Sequence, residues 1–118
     1  MKYLWIDEYC TAKQGATKEF KEDWVATRYL ISGKMFALQG MDNTSRPIMT
    51  LKLNPVEGDF LRGQYADIVP GYYMNKVHWN SVYLDGVVPD DVLQGMIDKS
   101  YDIIFASLAK KAQKEITG

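Results

Sequence analysis

Between Thr27 and Leu53 the chain alternates with a period of two and reverses twice through short polar breaks. Thr27-Arg28-Tyr29-Leu30-Ile31 reads as a strand, Ser32-Gly33 as a hairpin turn, and Met35-Phe36-Ala37-Leu38 as the returning strand. The segment from Gly40 to Ser45, with Asp42, Asn43 and Thr44, is a longer loop. Pro47 to Leu53 is a third strand. Its alternation puts Ile48, Thr50 and Lys52 on one face and Met49, Leu51 and Leu53 on the other. Pro47 suits the first position, where no ladder donor is needed. Strands joined this closely must pair antiparallel, because a parallel pair needs a long crossover.

The flanks supply helices. Trp5, Ile6, Tyr9 and Cys10 recur at spacings of three and four, which predicts a helix near residues 3–14, and Gly15 suits the left-handed position after it. Residues 16–24 read as polar and irregular, anchored by Phe20 and Trp24. Asn54-Pro55-Val56-Glu57 is a capping-box arrangement that opens a helix running to about Tyr65, with Phe60, Leu61 and Tyr65 inward. Tyr72-Tyr73-Met74 and Ser81 to Leu84 read as two more strands. Pro89-Asp90-Asp91 opens a last helix, in which Leu93, Ile97, Tyr101, Ile104, Leu108 and Ala112 form one stripe. Its last turns hold Lys110, Lys111 and Lys114, where cations are favoured. The expected fold is α+β, an antiparallel sheet of about five strands with helices on one face, in the order α-β-β-β-α-β-β-α. The length of 118 residues suits a single domain over residues 1–118.

Charge restricts the partners. Fourteen basic residues face fifteen acidic ones, and residues 1–45, 46–88 and 89–118 are each close to neutral. The sequence pI of about 5.8 lies far from the basic footprint of nucleic-acid binders. A polyanion site would have to be gathered by folding. No apolar run approaches the roughly 18 residues of a membrane span, so no membrane partner is expected. The early acids Asp7 and Glu8 argue against a signal peptide, and the cytoplasm is the expected compartment.

Several chemistries fall away. One histidine and one cysteine, without HExxH or CxxC spacing, do not make a zinc site. Neither GxGxxG nor a P-loop occurs, so no cofactor is expected. Cys10 lies on the apolar stripe and reads as a small core residue. The adjacent acids Glu22-Asp23 and Asp90-Asp91 diverge as neighbours and do not form a catalytic pair. Ser81 and Ser100 lack a nucleophile-elbow context.

The stretch Asn75-Lys76-Val77-His78-Trp79-Asn80 is a tight crossing between strands. Trp79 is expected to plug the edge of the core, while Asn75 and His78 bond turn backbone groups. Asp85-Gly86 turns the chain towards the last helix. Lys76 and His78 have a second reading, because a cation beside an aromatic ring suits a phosphate or a stacked base.

Taken in order, "YCTAKQGA" at 9–16, "DWVAT" at 23–27, "KMFAL" at 34–38, "RPIMTLKLNP" at 46–55, "LR" at 61–62, "NKVHW" at 75–79, "VYLDGVVPDD" at 82–91 and "DKSYD" at 98–102 resemble the MmcQ/YjbR family of small bacterial proteins. That family is also described as YjbR/CyaY-like. The resemblance implies a fold related to type III secretion chaperones and, more loosely, to frataxin-like proteins. It also implies a double-wing DNA-binding motif. Carried onto this chain, the cations of the pattern are Arg46, Lys52, Arg62 and Lys76, with Asn75 and His78 as polar company. Val77 stands where the family often has a basic or small residue, which removes one contact from the set.

Three functions stay open at this level. The first is a DNA-binding, regulatory protein that holds duplex DNA weakly through Arg46, Lys52, Lys76 and His78 on one face. The second is a protein-interaction or chaperone-like module. The third is an enzyme centred on His78. Acids such as Asp42, Asp67 and Asp85 interleaved among the cations would favour the second over the first.

Overall fold

The computed structural model describes residues 2–72 and 74–118. The order of elements is α1 (Ile6–Thr11), β1 (Ala16–Lys21), β2 (Ala26–Ile31), β3 (Lys34–Met41), β4 (Pro47–Lys52), α2 (Pro55–Gln64), β5 (Ile68–Pro70), β6 (Trp79–Tyr83), α3 (Asp90–Ser107) and α4 (Lys110–Thr117). The strands form one antiparallel sheet in the order β1-β2-β3-β4-β6-β5. The α+β reading therefore holds, with six strands where about five were expected.

The additional strand is β1. Its residues Thr17 to Phe20 are exposed, so apolar periodicity could not reveal it. Pairing with β2 holds it in place, from Ala16↔Ile31 to Lys21↔Ala26. Phe20 and Trp24, expected as anchors, are 59% and 53% exposed. Tyr72 and Met74 lie in the turn after β5 and not in a strand, and Tyr73 lies outside the described residues. The strand in that region is Ile68–Pro70, one short edge beside β6.

Register assigns the two faces. Tyr29, Ala37 and Leu51 stand in line across β2, β3 and β4, and Met49, Val82 and Ile68 in line across β4, β6 and β5. All are fully or almost fully buried, in one cluster with Leu93, Met96 and Ile97 of α3. Truncating a core side chain of this kind costs about 2–5 kcal/mol. The helices cover this face, and the opposite face stays open. Trp79 is buried as expected, at 9% exposure, but it pairs with Lys52 and so lies on the face opposite this cluster instead of plugging the core edge.

The helix ends differ from the expectation in three places. The first helix spans only Ile6–Thr11, and Tyr3 has φ 59, outside helical geometry. Gly15 does take a left-handed φ of 76, and a Cβ there would lie 3.0 Å from Ile116 of α4. The Asn54 cap forms as the sequence requires: its Oδ1 accepts from the Glu57 amide at 2.9 Å. Phe60, placed inward by the sequence, is 64% exposed, whereas Leu61 and Tyr65 pack against the core. The last helix is broken. Leu108 has extended φ and ψ and caps α3, so Lys110 and Lys111 begin α4 and only Lys114 lies in its last turn.

One α3 side chain enters the sheet itself. The β3–β4 pairing ends at Ala37↔Leu51. Beyond it, the Ser100 hydroxyl accepts from the Lys52 amide at 2.8 Å and donates to the Phe36 carbonyl at 2.6 Å. A serine thus stands where the next ladder bond would be.

Candidate functional site

The open face is built from the residues that alternate with the core. Arg28, Leu38, Thr50, Ser81 and Val69 stand in line across the sheet, with Gly40, Ile48 and Tyr83 one step along. Gly40 keeps the floor low and the strands close, because a Cβ there would meet Ala26 Cβ at 2.9 Å. The β1–β2 turn raises Asp23, Trp24 and Val25 on one side, and Tyr72 and Met74 rise on another. Together with Leu38, Ile48, Thr50, Met41, Asp42 and Ser45 they enclose a groove of about 590 Å³. Three of these apolar side chains are well exposed: Trp24 at 53%, Val25 at 58% and Met41 at 47%. A volume of this size, apolar with a few polar groups, is what a binding site for a small molecule or a few side chains needs.

A polar cluster closes one end. Asp42 Oδ1 accepts from the Thr44 amide at 2.8 Å, the Thr44 hydroxyl at 2.7 Å and the Arg46 amide at 2.9 Å. Burial pushes the Asp42 carboxyl up, but these bonds and one from Tyr83 outweigh it and hold the group below the usual carboxylate range. Arg46 binds Asp85 in a bidentate pair, Nε to Oδ2 at 3.1 Å and Nη2 to Oδ1 at 2.7 Å. Its guanidinium lies 3.6 Å from the centre of the Tyr83 ring. The Tyr83 and Tyr72 hydroxyls meet at 2.7 Å, and that bond, followed by burial, pushes the Tyr83 phenol up to about 12. Cations also sit on the other aromatic rings of this side. Lys21 and Arg28 each lie 5.6 Å from the Trp24 ring, and Lys76 lies 5.7 Å from the Tyr72 ring.

The six residues singled out by sequence do not form one basic face. Arg46 and Lys52 share the open side of β4 by alternation. Arg62 is on the helix-covered side, where it bonds Asn80 and Asp59. Lys76 donates to the Gly71 carbonyl at 3.1 Å. Asn75 bonds the turn as expected, its Oδ1 accepting from the Val77 amide at 2.9 Å. The His78 backbone joins the core edge, since its carbonyl accepts from the Leu53 amide at 2.8 Å. The ring of His78 makes no hydrogen bond among the described residues and is not part of the groove lining. Lys52 has no ion pair among the described residues, where Arg46, Arg62 and Arg28 are each matched by an acid. The acids are indeed interleaved: Asp85 holds Arg46, Asp42 takes the Arg46 amide, and Asp67 accepts from the Val87 amide at 3.0 Å. No cluster of three or more His, Cys, Asp or Glu suited to a metal ion occurs among the described residues. No helix among them is long and apolar enough to cross a membrane.

The geometry can be set beside known proteins. A family model described as YjbR matches residues 11–103. The chain belongs to the YjbR family. The Escherichia coli (strain K12) protein named "Uncharacterized protein YjbR" is 36% identical over 107 residues, which cover 91% of this chain and 90% of that protein. YbdF of Escherichia coli O157:H7, also named as uncharacterized, is 34% identical over 88 residues, covering 75% of this chain and 71% of its own. The crystal structure of Deinococcus radiodurans protein DR2400, with a DUF419 domain, superposes with a TM-score of 0.84 at 27% identity, over 95% of this chain and 85% of that one. YjbR membership bears out the resemblance carried by the ordered motifs.

Sequence reasoning missed the groove residues of this YjbR chain. Trp24 and Asp42 lie in turns whose spacing carries no period, and Met41, the last residue of β3, falls where the sequence reads as a loop. Thr50 and Ser81 did carry a signal, as polar residues inside two apolar strand runs. Both are 0% exposed and bond each other at 2.8 Å.

Proposed function

We propose that this protein is an interaction module that takes an apolar segment of a protein partner into the groove on its open sheet face. The observation that carries this reading is the groove itself: about 590 Å³, apolar, and rimmed by the exposed Trp24, Val25 and Met41. The charged side chains on its lining are Asp23 and Asp42, so the segment is neutral or basic. DNA binding through Arg46, Lys52 and Lys76 is the competing reading. The cations beside Trp24, Tyr72 and Tyr83 support it. Against it, Asp85 and Glu19 already neutralise Arg46 and Arg28, and Arg62 is on the other side of the sheet.

Random linear peptides displayed on phage and panned against the full chain test the proposal. Apolar peptides poor in Asp and Glu should be enriched. Their amide shift changes should map to the groove, and the double variant Trp24→Ala/Met41→Ser should bind them at least tenfold more weakly. Both side chains are about half exposed, so that variant keeps its core. Peptides that map elsewhere would overturn the docking role. So would duplex DNA binding with a log–log salt slope near −3, about −0.9 per phosphate neutralised.

A further inference from the structure

We infer that two copies of this chain pair through the free edge of β1, antiparallel and centred on Phe20. The sheet order leaves β1 and β5 at its edges. β5 has three residues and ends in Pro70, which offers no donor to a further strand. β1 has six residues, and β2 occupies only one of its sides. The other side presents a row of backbone donors and acceptors that a further strand can take. Phe20 sits on this strand and is 59% exposed. By register with Thr27 and Tyr29 it shares the helix-covered side with Lys18. There α1 meets Lys18, through Asp7 at 2.9 Å, and leaves Phe20 uncovered.

Charge selects a second copy as the occupant of this edge. Antiparallel strands related by a two-fold axis keep each side of the sheet on the same side, so a residue meets only residues that share its side. Centred on Phe20, the pairing sets Phe20 against Phe20 of the second copy. Glu19 of each copy then meets Lys21 of the other. Two ion pairs flank an aromatic pair, and both kinds of cross-strand contact are favourable. The other registers lack this fit. Centring on Lys18, Glu19 or Lys21 puts like charges directly opposite, and centring on Thr17 leaves Phe20 uncovered.

The groups needed for these ion pairs are available. Glu19 gives Oε1 to Arg28, and its Oε2 has no hydrogen bond among the described residues. Lys21 lies 5.6 Å from the Trp24 ring and has no acid partner among them. Lysines on an edge repel an arbitrary strand. Glu19 between Lys18 and Lys21 makes this edge complementary to itself.

Two strands of six residues bury less than the roughly 1,200 Å² of a standard interface, so the pairing is weak. Analytical ultracentrifugation of the full chain at up to about 1 mM reads it. Wild type should form dimers, and its amide shift changes on dilution should fall on residues 17–22. Glu19→Lys and Lys21→Glu, each alone, should dimerise about tenfold more weakly, because both ion pairs become repulsive. Mixed in equal amounts, the two variants should recover wild-type association, since each copy then meets its complement. Loss of the Glu19–Arg28 pair within one chain cannot produce that recovery. A wild type that stays monomeric overturns the inference, even if a variant fails to fold. So does a wild type whose shift changes fall on the groove, or a mixture that associates no better than its components. The docking role of the groove stands or falls separately, on the peptide panning.

Discussion

Replacing Ser100 by alanine should cost this fold about 2–4 kcal/mol, although only one oxygen is removed. The Ser100 hydroxyl is 0% exposed and spans the gap between β3 and β4. It takes the Lys52 amide at 2.8 Å and serves the Phe36 carbonyl at 2.6 Å. Without it, two backbone groups lose their partner at once. A buried group left unsatisfied costs about 1–3 kcal/mol, so two that relax partly fall in the stated range. With an unfolding entropy of about 2.1 cal/mol/K per residue, 118 residues convert a loss near 3 kcal/mol into a Tm drop of about 12 °C. Urea unfolding followed by tryptophan fluorescence should show a lower midpoint at an unchanged slope. A loss under about 0.5 kcal/mol would refute the reasoning, since it would mean that the strands close and pair directly without the serine.

Asn54→Ala should lose about 0.5–2 kcal/mol in the same assay, because the Glu57 amide loses its cap at 2.9 Å. A loss of zero would show that water replaces the cap at no cost. Asp42 gives a pH dependence of definite sign. Its folded pKa lies below the unfolded value, so its stabilisation is complete above the usual carboxylate range and is lost as pH falls through the folded value. Urea midpoints measured from pH 6 to pH 2 should fall less steeply in Asp42→Asn than in wild type, and equal slopes would exclude Asp42 as a source. Cys10 is fully buried, and burial pushes its thiol up to about 12. A disulfide exchange reagent at pH 8 should therefore label it only as the chain unfolds, and prompt labelling of the native protein would contradict that placement.

Local chemistry made much of the framework legible. Ser32-Gly33 could only turn a hairpin, and it does so with φ of 49 and 79. Asn54-Pro55-x-Glu57 could only open a helix, and it does. The alternation from Ile48 to Leu53 separated the two faces of β4 before any neighbour was known, and the ordered motifs carried the family. Such features depend on a residue and its near neighbours, so the sequence alone determined them.

The remainder depended on partners distant in the chain. β1 has no apolar pattern because pairing with β2, not burial, makes it a strand. The break at Leu108 interrupts a stripe that read as one continuous helix, and beyond it α4 packs Ile116 beside Gly15, a contact between residues about 100 positions apart in the chain. Ser100 looked like any helix serine until α3 laid it over the end of the β3–β4 ladder. Arg46 and Arg62 read alike as cations of one motif. The sheet passes between them, and Asp85, 39 residues from Arg46, neutralises one of them. The groove has the same origin. Side-chain alternation predicts that the face opposite a core exists, but only the packed turns decide that Trp24 and Tyr72 rise around Thr50 and leave that face uncovered.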